Sequence, residues 1–192
     1  EELQEKNHTL KTDYTNNQKE LIKNHVNYII NFIDYYNETN KNKKSEALIQ
    51  KEVLEIIEKL RVNENPNEYI FIYDFNGNLV QDAIAKKDNI GHNYLNIKDI
   101  KGKEVVKELI TTSKRNLGGY VEYVWLKPEI SKQTTKISYA LSYNKWNWTI
   151  GKGVYLDEID KLIKEKEEDY NQKISNYTLQ ITSLTIMLIL YS

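Results

Sequence analysis

In two predicted strands, every second residue is aromatic, and in the second of these strands a lysine follows the aromatic residues on the same face. Residues two apart in a strand lie on the same face of a sheet. The residues that share a face are Tyr69, Phe71 and Tyr73 in the first strand, and Tyr123, Trp125 and Lys127 in the second. Aromatic walls with one cation are typical of a pocket for a small ligand, because a face that only packs in a core is usually aliphatic. The alternative is that the first three side chains simply cover the sheet core.

A second lysine, Lys136, lies in the middle of the next predicted strand and shares a face with Ser138. Burial of a lysine requires a partner for its charge, and the carboxylate of a ligand would supply one. The alternative places Lys136 on an edge strand facing solvent and Lys127 at the rim of its own strand. Tyr139 is predicted on the opposite face from Lys136, so the two side chains are not expected in one pocket.

The sequence contains no arrangement typical of catalysis or of cofactor binding. It lacks paired catalytic carboxylates, a nucleophile beside a base and a phosphate-binding loop, so we predict that it is not an enzyme. The three histidines follow no metal-binding spacing, and cysteine is absent. A net charge of −1 gives no basic surplus for nucleic acid. We therefore expect no cofactor, no metal ion and no nucleic-acid partner.

The elements that must position these residues are strands in the centre of the chain and one short helix. The helix is predicted over Lys103–Asn116, before Gly118 and Gly119. The span from Gln81 to Asn96 is rich in turn-forming residues and is predicted to be a loop. The alternating segments that predict strands are Glu68–Asp74, Tyr120–Leu126, Thr135–Ser142 and Trp146–Tyr155.

Both ends of the chain are predicted to be helical. Residues 1–36 contain no Gly or Pro and repeat apolar residues at helical spacing, which indicates one long amphipathic helix. A second helix is predicted from Ser45, as its N-cap, to Arg61. A charged helix over residues 158–178 is followed by an uncharged run, residues 179–192, which is shorter than the roughly 20 residues that span a bilayer. We expect this run to be the start of a truncated transmembrane helix; the alternative is a buried C-terminal helix.

Several stretches together carry a resemblance to a known family. They include Tyr69–Gly77 (YIFIYDFNG), and the most specific are Gly118–Pro128 (GGYVEYVWLKP) and Trp148–Tyr155 (WTIGKGVY). They resemble the single Cache sensor domains, type 2, of bacterial transmembrane receptors. The resemblance implies an α+β fold, in which a long N-terminal helix packs on a PAS-like antiparallel sheet and a C-terminal helix leads to the membrane. It also implies that residues 37–157 form the ligand-binding domain.

The resemblance implies a sensor in the periplasm, anchored in the inner membrane by flanking helices and dimerised through its N-terminal helix. The family precedent is a small carboxylate such as acetate, propionate or pyruvate, held under the loop between the first two strands. Binding would pass a displacement to a cytoplasmic output module. In this interpretation Tyr94, from that loop, and Asp82 complete the set of predicted ligand-binding residues.

Asp82 and Ala83 are a departure from the family, which commonly has His-Pro at this point. An acid in place of an anion-contacting histidine favours an alternative ligand, an amino acid or a small amine whose ammonium pairs with Asp82. Two other functions stay open on the sequence. One is a structural dimerisation module without a small ligand, and the other is a cytosolic PAS-type domain with a bound cofactor.

Overall fold

Five strands form one antiparallel sheet in the computed structural model, which describes residues 2–59, 67–82 and 87–191. Their order across the sheet is β2-β1-β5-β4-β3, so the first and last strands of the chain order are neighbours. The predicted α+β class with a PAS-like antiparallel sheet is confirmed. The strands are β1 (Ile70–Asp74), β2 (Leu79–Asp82), β3 (Gly119–Lys127), β4 (Lys132–Tyr143) and β5 (Trp148–Tyr155).

Four α-helices accompany the sheet, and their bounds follow the sequence signals closely. The Ser45 hydroxyl accepts a hydrogen bond from the Leu48 backbone N–H at 3.4 Å, as an N-cap does. Arg61, the predicted last residue of the second helix, lies outside the described residues. The helices are α1 (Glu2–Asn40), α2 (Glu46–Lys59), α3 (Val105–Ser113) and α4 (Leu156–Leu190).

The two faces of the sheet are covered by different helices. Neighbouring residues of a strand point to opposite faces of the sheet, so each strand contributes side chains to the core on both faces. One face packs on α1 and α2, and Trp146 and Trp148 are buried there. The other face packs on α3 through Val105, Val106 and Leu109. This second layer holds the predicted aromatic residues.

Two parts of the predicted strand pattern were wrong. β2 begins at Leu79, although the span from Gln81 was predicted to be a loop. Its four residues, two apolar followed by two polar, do not alternate, so the usual strand signal is missing. β5 begins at Trp148 rather than Trp146, because Asn147 adopts a left-handed conformation with φ of 55° after a short 3-10 turn.

The chain divides into two compact units, residues 15–156 and residues 1–14 with 157–192. The first unit contains the whole sheet with α2 and α3. In the second unit the apolar side chains of the last turns of α4, from Leu179 to Leu190, are exposed rather than buried. Within the described part of the chain, no helix is long and apolar enough to cross a membrane.

Candidate ligand-binding site

A small cavity lies between the sheet and α3. The volume in which the centre of a water molecule can lie is about 10 Å³, which is room for about one water and less than a small carboxylate requires. Six of the ten residues predicted for the site line this cavity, together with Val105, Val106 and Leu109 of α3. The six are Tyr69, Phe71, Tyr73, Asp82, Tyr123 and Trp125.

A β-bulge brings Asp82 to this face of the sheet. Tyr73 lies opposite Leu79, but the next pair joins Ile72 to Gln81, so Val80 is the extra residue. The shifted register places Asp82 opposite Phe71, whose side chain lines the cavity. Without the bulge, Asp82 would lie opposite a residue of the other face, because side chains alternate along a strand.

Lys136 is buried directly behind the aromatic wall. It is only 1% exposed, which is unusual for a lysine. The ammonium Nζ lies 3.8 Å from the centre of the Tyr69 ring, 5.0 Å from that of Tyr155 and 5.7 Å from that of Phe71. Aromatic faces attract cations, so the three rings stabilise the charge of Lys136. The predicted separation from Tyr139 is also observed, since Tyr139 packs on the α1 and α2 side.

Two glycines of β5 provide the space for this arrangement. A Cβ atom on Gly153 would lie 2.2 Å from Ser138 Oγ and 2.5 Å from Lys136 Cε. A Cβ atom on Gly151 would lie 2.2 Å from the Phe71 ring. All three distances are too short for real contacts, so only glycine lets these side chains lie across β5.

The remaining predicted residues surround the cavity without lining it. Ser138 Oγ and the Tyr123 hydroxyl share a hydrogen bond of 2.8 Å. The Tyr94 ring lies at the edge of Tyr73, with their centres 6.3 Å apart. Lys127 is buried on the same face, with its Nζ 5.8 Å from the centre of the Tyr155 ring and 4.0 Å from Glu129 Oε2.

Sequence reasoning missed Tyr155 as a member of this cluster. Tyr155 is fully buried, contacts both lysines of the site through its ring and donates a hydrogen bond to the Leu126 carbonyl at 2.8 Å. Its period-two spacing from Gly151 and Gly153 is the signal that places it on this face. The three cavity residues from α3, Val105, Val106 and Leu109, were also absent from the predicted site.

Burial keeps the phenol groups of the cavity protonated. It raises the pKa of Tyr69 well above the ordinary value, and the negative charge of Asp82 and a hydrogen bond with Tyr155 add to this effect. Burial also raises the pKa values of Tyr73 and Tyr123, again with a contribution from Asp82. All three hydroxyl groups therefore remain able to donate hydrogen bonds at neutral pH.

The arrangement combines hydrogen-bond donors, a buried cation and one carboxylate. Tyrosine hydroxyl groups and an ammonium suit an anionic group, whereas Asp82 suits an ammonium. Among the described residues, no group of three or more His, Cys, Asp or Glu could hold a metal ion. The chemistry supported by these residues is therefore recognition of a small polar molecule.

Comparison with known proteins identifies relatives in bacterial signalling. Residues 14–169 match the model of the family described as Single Cache domain 2. The chain is 40% identical over 91 residues to the sensor histidine kinase MctS of Rhizobium johnstonii, a match that covers 47% of this chain and 19% of that protein. It is 29% identical over 116 residues to the methyl-accepting chemotaxis protein McpP of Pseudomonas putida, covering 60% and 21%. The chain thus spans about a fifth of the length of these relatives.

Two solved structures share the fold over most of the chain. A methyl-accepting chemotaxis protein from Vibrio parahaemolyticus superposes with a TM-score of 0.68 at 25% identity, covering 80% of this chain and 99% of that one. A Cache chemosensory domain studied for carboxylic acid recognition gives a TM-score of 0.67 at 26% identity, covering 75% and 97%.

Proposed function

Because this chain belongs to the Single Cache domain 2 family, we propose that it senses a small carboxylate bound in the cavity between the sheet and α3. Members of this family form the sensing part of receptors such as the histidine kinase and the chemotaxis protein described above. The chain covers only 19% of that kinase, so the kinase activity is not transferred to it. The sensing portion acts by binding, without a catalytic step.

The observation that carries this proposal is the position of Lys136 behind a wall of protonated tyrosines. A carboxylate that enters the cavity meets the hydroxyl groups of Tyr69, Tyr73 and Tyr123, with a buried cation beyond them. Hydrogen bonds between charged and neutral partners are stronger than those between neutral groups. The related Cache chemosensory domain, which recognises carboxylic acids, supports the same ligand class.

Asp82 favours a second candidate, an amino acid or a small amine. The bulge in β2 places its carboxyl group on the cavity wall, where it would repel a simple carboxylate and attract an ammonium. A zwitterionic ligand would use both charges, with its carboxylate toward the tyrosines and its ammonium toward Asp82. If the domain is instead a structural dimerisation module, the alternative left open by the sequence, no small ligand should bind.

Signalling would follow from the small size of the cavity. A ligand larger than one water molecule has to move side chains of the sheet or α3 before it fits. β5 crosses the site at Gly151 and Gly153, and the chain continues from Tyr155 directly into α4. The ligand-free and ligand-bound arrangements of these side chains are in equilibrium. A ligand shifts this equilibrium only by the difference between its affinities for the two arrangements. We propose that α4 carries this shift to a cytoplasmic output module.

The cellular setting is proposed from the family. The domain would lie in the periplasm as the sensing part of an inner-membrane receptor, with residues 158–178 as the juxtamembrane helix and residues 179–192 beginning a membrane span. Residues 1–36 would form the dimer interface, with residues 37–157 as the ligand-binding domain. These assignments rest on the receptor relatives and on the polarity pattern of α1 and α4.

Isothermal titration calorimetry with acetate, propionate and pyruvate tests the ligand class, and a panel of amino acids and aliphatic amines tests the second candidate. We expect saturable binding of a carboxylate. Lys136→Met keeps the length of the side chain but removes the charge, so its affinity should fall about 10- to 100-fold. Lys132→Met changes an exposed lysine of the same strand and should bind like the unmodified chain.

Tyr123→Phe provides a second variant in case Lys136→Met is poorly folded. It removes one donor hydroxyl from the cavity, and its affinity should fall about tenfold. Binding of amino acids or amines alone would replace the carboxylate proposal with the second candidate. No binding of any probe to a folded protein would favour the structural dimerisation module.

A further inference from the structure

A second site lies in a groove between α2 and β2, and we propose that this groove binds a linear organic polycation of the aliphatic polyamine class. The volume open to the centre of a water molecule is about 420 Å³. The proposal concerns another ligand and another site than the sensor function above, and it does not depend on that function. Asp82 lines both the groove and the cavity, so the two sites share one wall.

The charges of the described lining residues favour a cation. Three carboxylates line the groove, from Glu55, Glu58 and Asp82, against one ammonium, from Lys51. Lys51 Nζ lies 4.0 Å from Glu55 Oε1, and the two side chains are 73% and 56% exposed. Exposed ion pairs of this kind contribute little to stability, so an incoming cation can replace Lys51 as the partner of Glu55.

A buried amide supplies an independent reason for a ligand with hydrogen-bond donors. Gln81 lines the groove and is only 8% exposed. Its Nε2 donates to the Leu54 carbonyl at 3.1 Å, whereas its Oε1 is buried and has no hydrogen-bond partner. A buried acceptor without a donor costs free energy, which a bound donor recovers. An ammonium group offers only donors, so it matches this acceptor as well as the carboxylates.

The walls of the groove favour an extended organic cation over a metal ion. Leu54, Val80 and Ile90 provide apolar surface, against which a chain of methylene groups can pack. Within the described residues, no three carboxylate or imidazole groups lie close enough together to hold a metal ion. Charges separated along a flexible chain can reach carboxylates that a single ion cannot bridge.

The test is calorimetric titration of the chain with spermidine in low-salt buffer without any carboxylate ligand. We expect saturable binding that weakens as sodium chloride is added, because salt screens exposed charges. Glu55→Gln combined with Glu58→Gln should weaken spermidine binding about tenfold, since each exposed charge pair contributes a few-fold. Glu20→Gln combined with Glu122→Gln makes the same change of charge at exposed positions elsewhere in this unit and should leave the affinity unchanged.

Two further variants act in opposite directions at the same site. Lys51→Gln removes the competing cation and should strengthen spermidine binding roughly threefold. Gln81→Met removes the buried acceptor and should weaken it. Absence of saturable binding to the unmodified chain overturns the proposal, as does equal loss of affinity in the groove and control double variants. Because no carboxylate is present, neither result decides whether a carboxylate binds in the cavity.

Discussion

Asp82 is the acidic side chain among the described residues that line the cavity. It lies opposite Phe71 on the cavity wall, and its charge adds to the effect of burial, which raises the pKa values of three tyrosines there. Asp82→Asn removes a negative charge while keeping the size of the side chain. Acetate affinity should therefore rise about tenfold, and affinity for a small amine should fall by a similar factor. Calorimetry with both probes on the same preparation measures the two changes.

The control for this prediction is Asp88→Asn, which removes a charge from an exposed residue near β2. It should leave both affinities within a factor of two. If acetate binds Asp82→Asn no better than the unmodified chain, Asp82 does not face the bound ligand. The proposal of an amine ligand would then have no supporting residue.

Gly153 determines whether Lys136 can lie across β5. A methyl group at Gly153 would lie 2.5 Å from Lys136 Cε and 2.2 Å from Ser138 Oγ. Gly153→Ala should therefore lower the free energy of unfolding by about 1–3 kcal/mol, as overpacking of a core does. Urea unfolding followed by tryptophan fluorescence measures this loss.

Gly102→Ala serves as the comparison for Gly153→Ala. Its Cβ would have no neighbour within 4 Å, but its φ of 84° disfavours a side chain, so it should cost about 1–2 kcal/mol from backbone strain alone. Both variants should therefore lose stability, but for different reasons. Only Gly153→Ala should also weaken ligand binding, because only its methyl group would displace Lys136. A Gly153→Ala protein with unchanged stability and ligand affinity would mean that Lys136 does not occupy the space beside Gly153.

Strands and helices were predictable where their periodicity is long. β3 and β4 were found to within a few residues because seven residues alternate in Tyr120–Leu126 and eight in Thr135–Ser142. β2 was not found, since its short bulged sequence gives no alternation. The contact of Lys136 with Gly153 was equally hidden, because it depends on the register that pairs Ser138 with Gly153 across two strands. One strand alone contains no information about that pairing.

A buried lysine on the other face of β5 connects the sheet to α1. Lys152 lies between the two glycines of β5 and is 6% exposed. Its Nζ donates to His25 Nδ1 at 3.0 Å and to Glu68 Oε2 at 3.1 Å. Nδ1 can accept this bond only when it carries no proton, so the contact requires neutral His25.

The contact predicts that stability depends on pH. Burial and the charge of Lys152 lower the pKa of His25 below its ordinary value of 6.5, with Glu68 opposing them. The unfolded chain therefore binds this proton more tightly than the folded chain does. The free energy of unfolding should fall as the pH drops below about 6.5, until the pH passes the lower pKa of the folded state.

Urea unfolding at pH 7 and pH 5 measures this dependence. His25→Gln keeps a hydrogen-bond acceptor for Lys152 but cannot be protonated, so it should lose less stability between the two pH values. His92→Gln, at an exposed loop histidine, should behave like the unmodified chain. Equal losses in all three proteins would exclude His25 as a source of the acid sensitivity.

At the scale of the whole molecule, α1 presents two different faces. Ile22, Val26 and Ile33 are buried against the sheet layer. A second row of apolar side chains recurs every seven residues and is exposed. It consists of Leu21 at 48%, Tyr28 at 68% and Tyr35 at 72%. Exposed aromatic and aliphatic groups at this spacing are typical of a helix that packs along a partner helix, so we predict that two copies of the chain associate through this row.

Leu21→Glu combined with Tyr28→Glu tests the association, because it places two negative charges in the proposed interface. Neither side chain belongs to the core, so the sheet should fold unchanged while the mass in solution falls from dimer to monomer. Light scattering coupled to size-exclusion chromatography measures that mass. Leu48→Glu combined with Ile100→Glu, at side chains 44% and 71% exposed, makes an equivalent change elsewhere and should remain dimeric. A dimer that survives the α1 substitutions has its interface on another surface, and signalling models that rely on paired α1 helices would then fail.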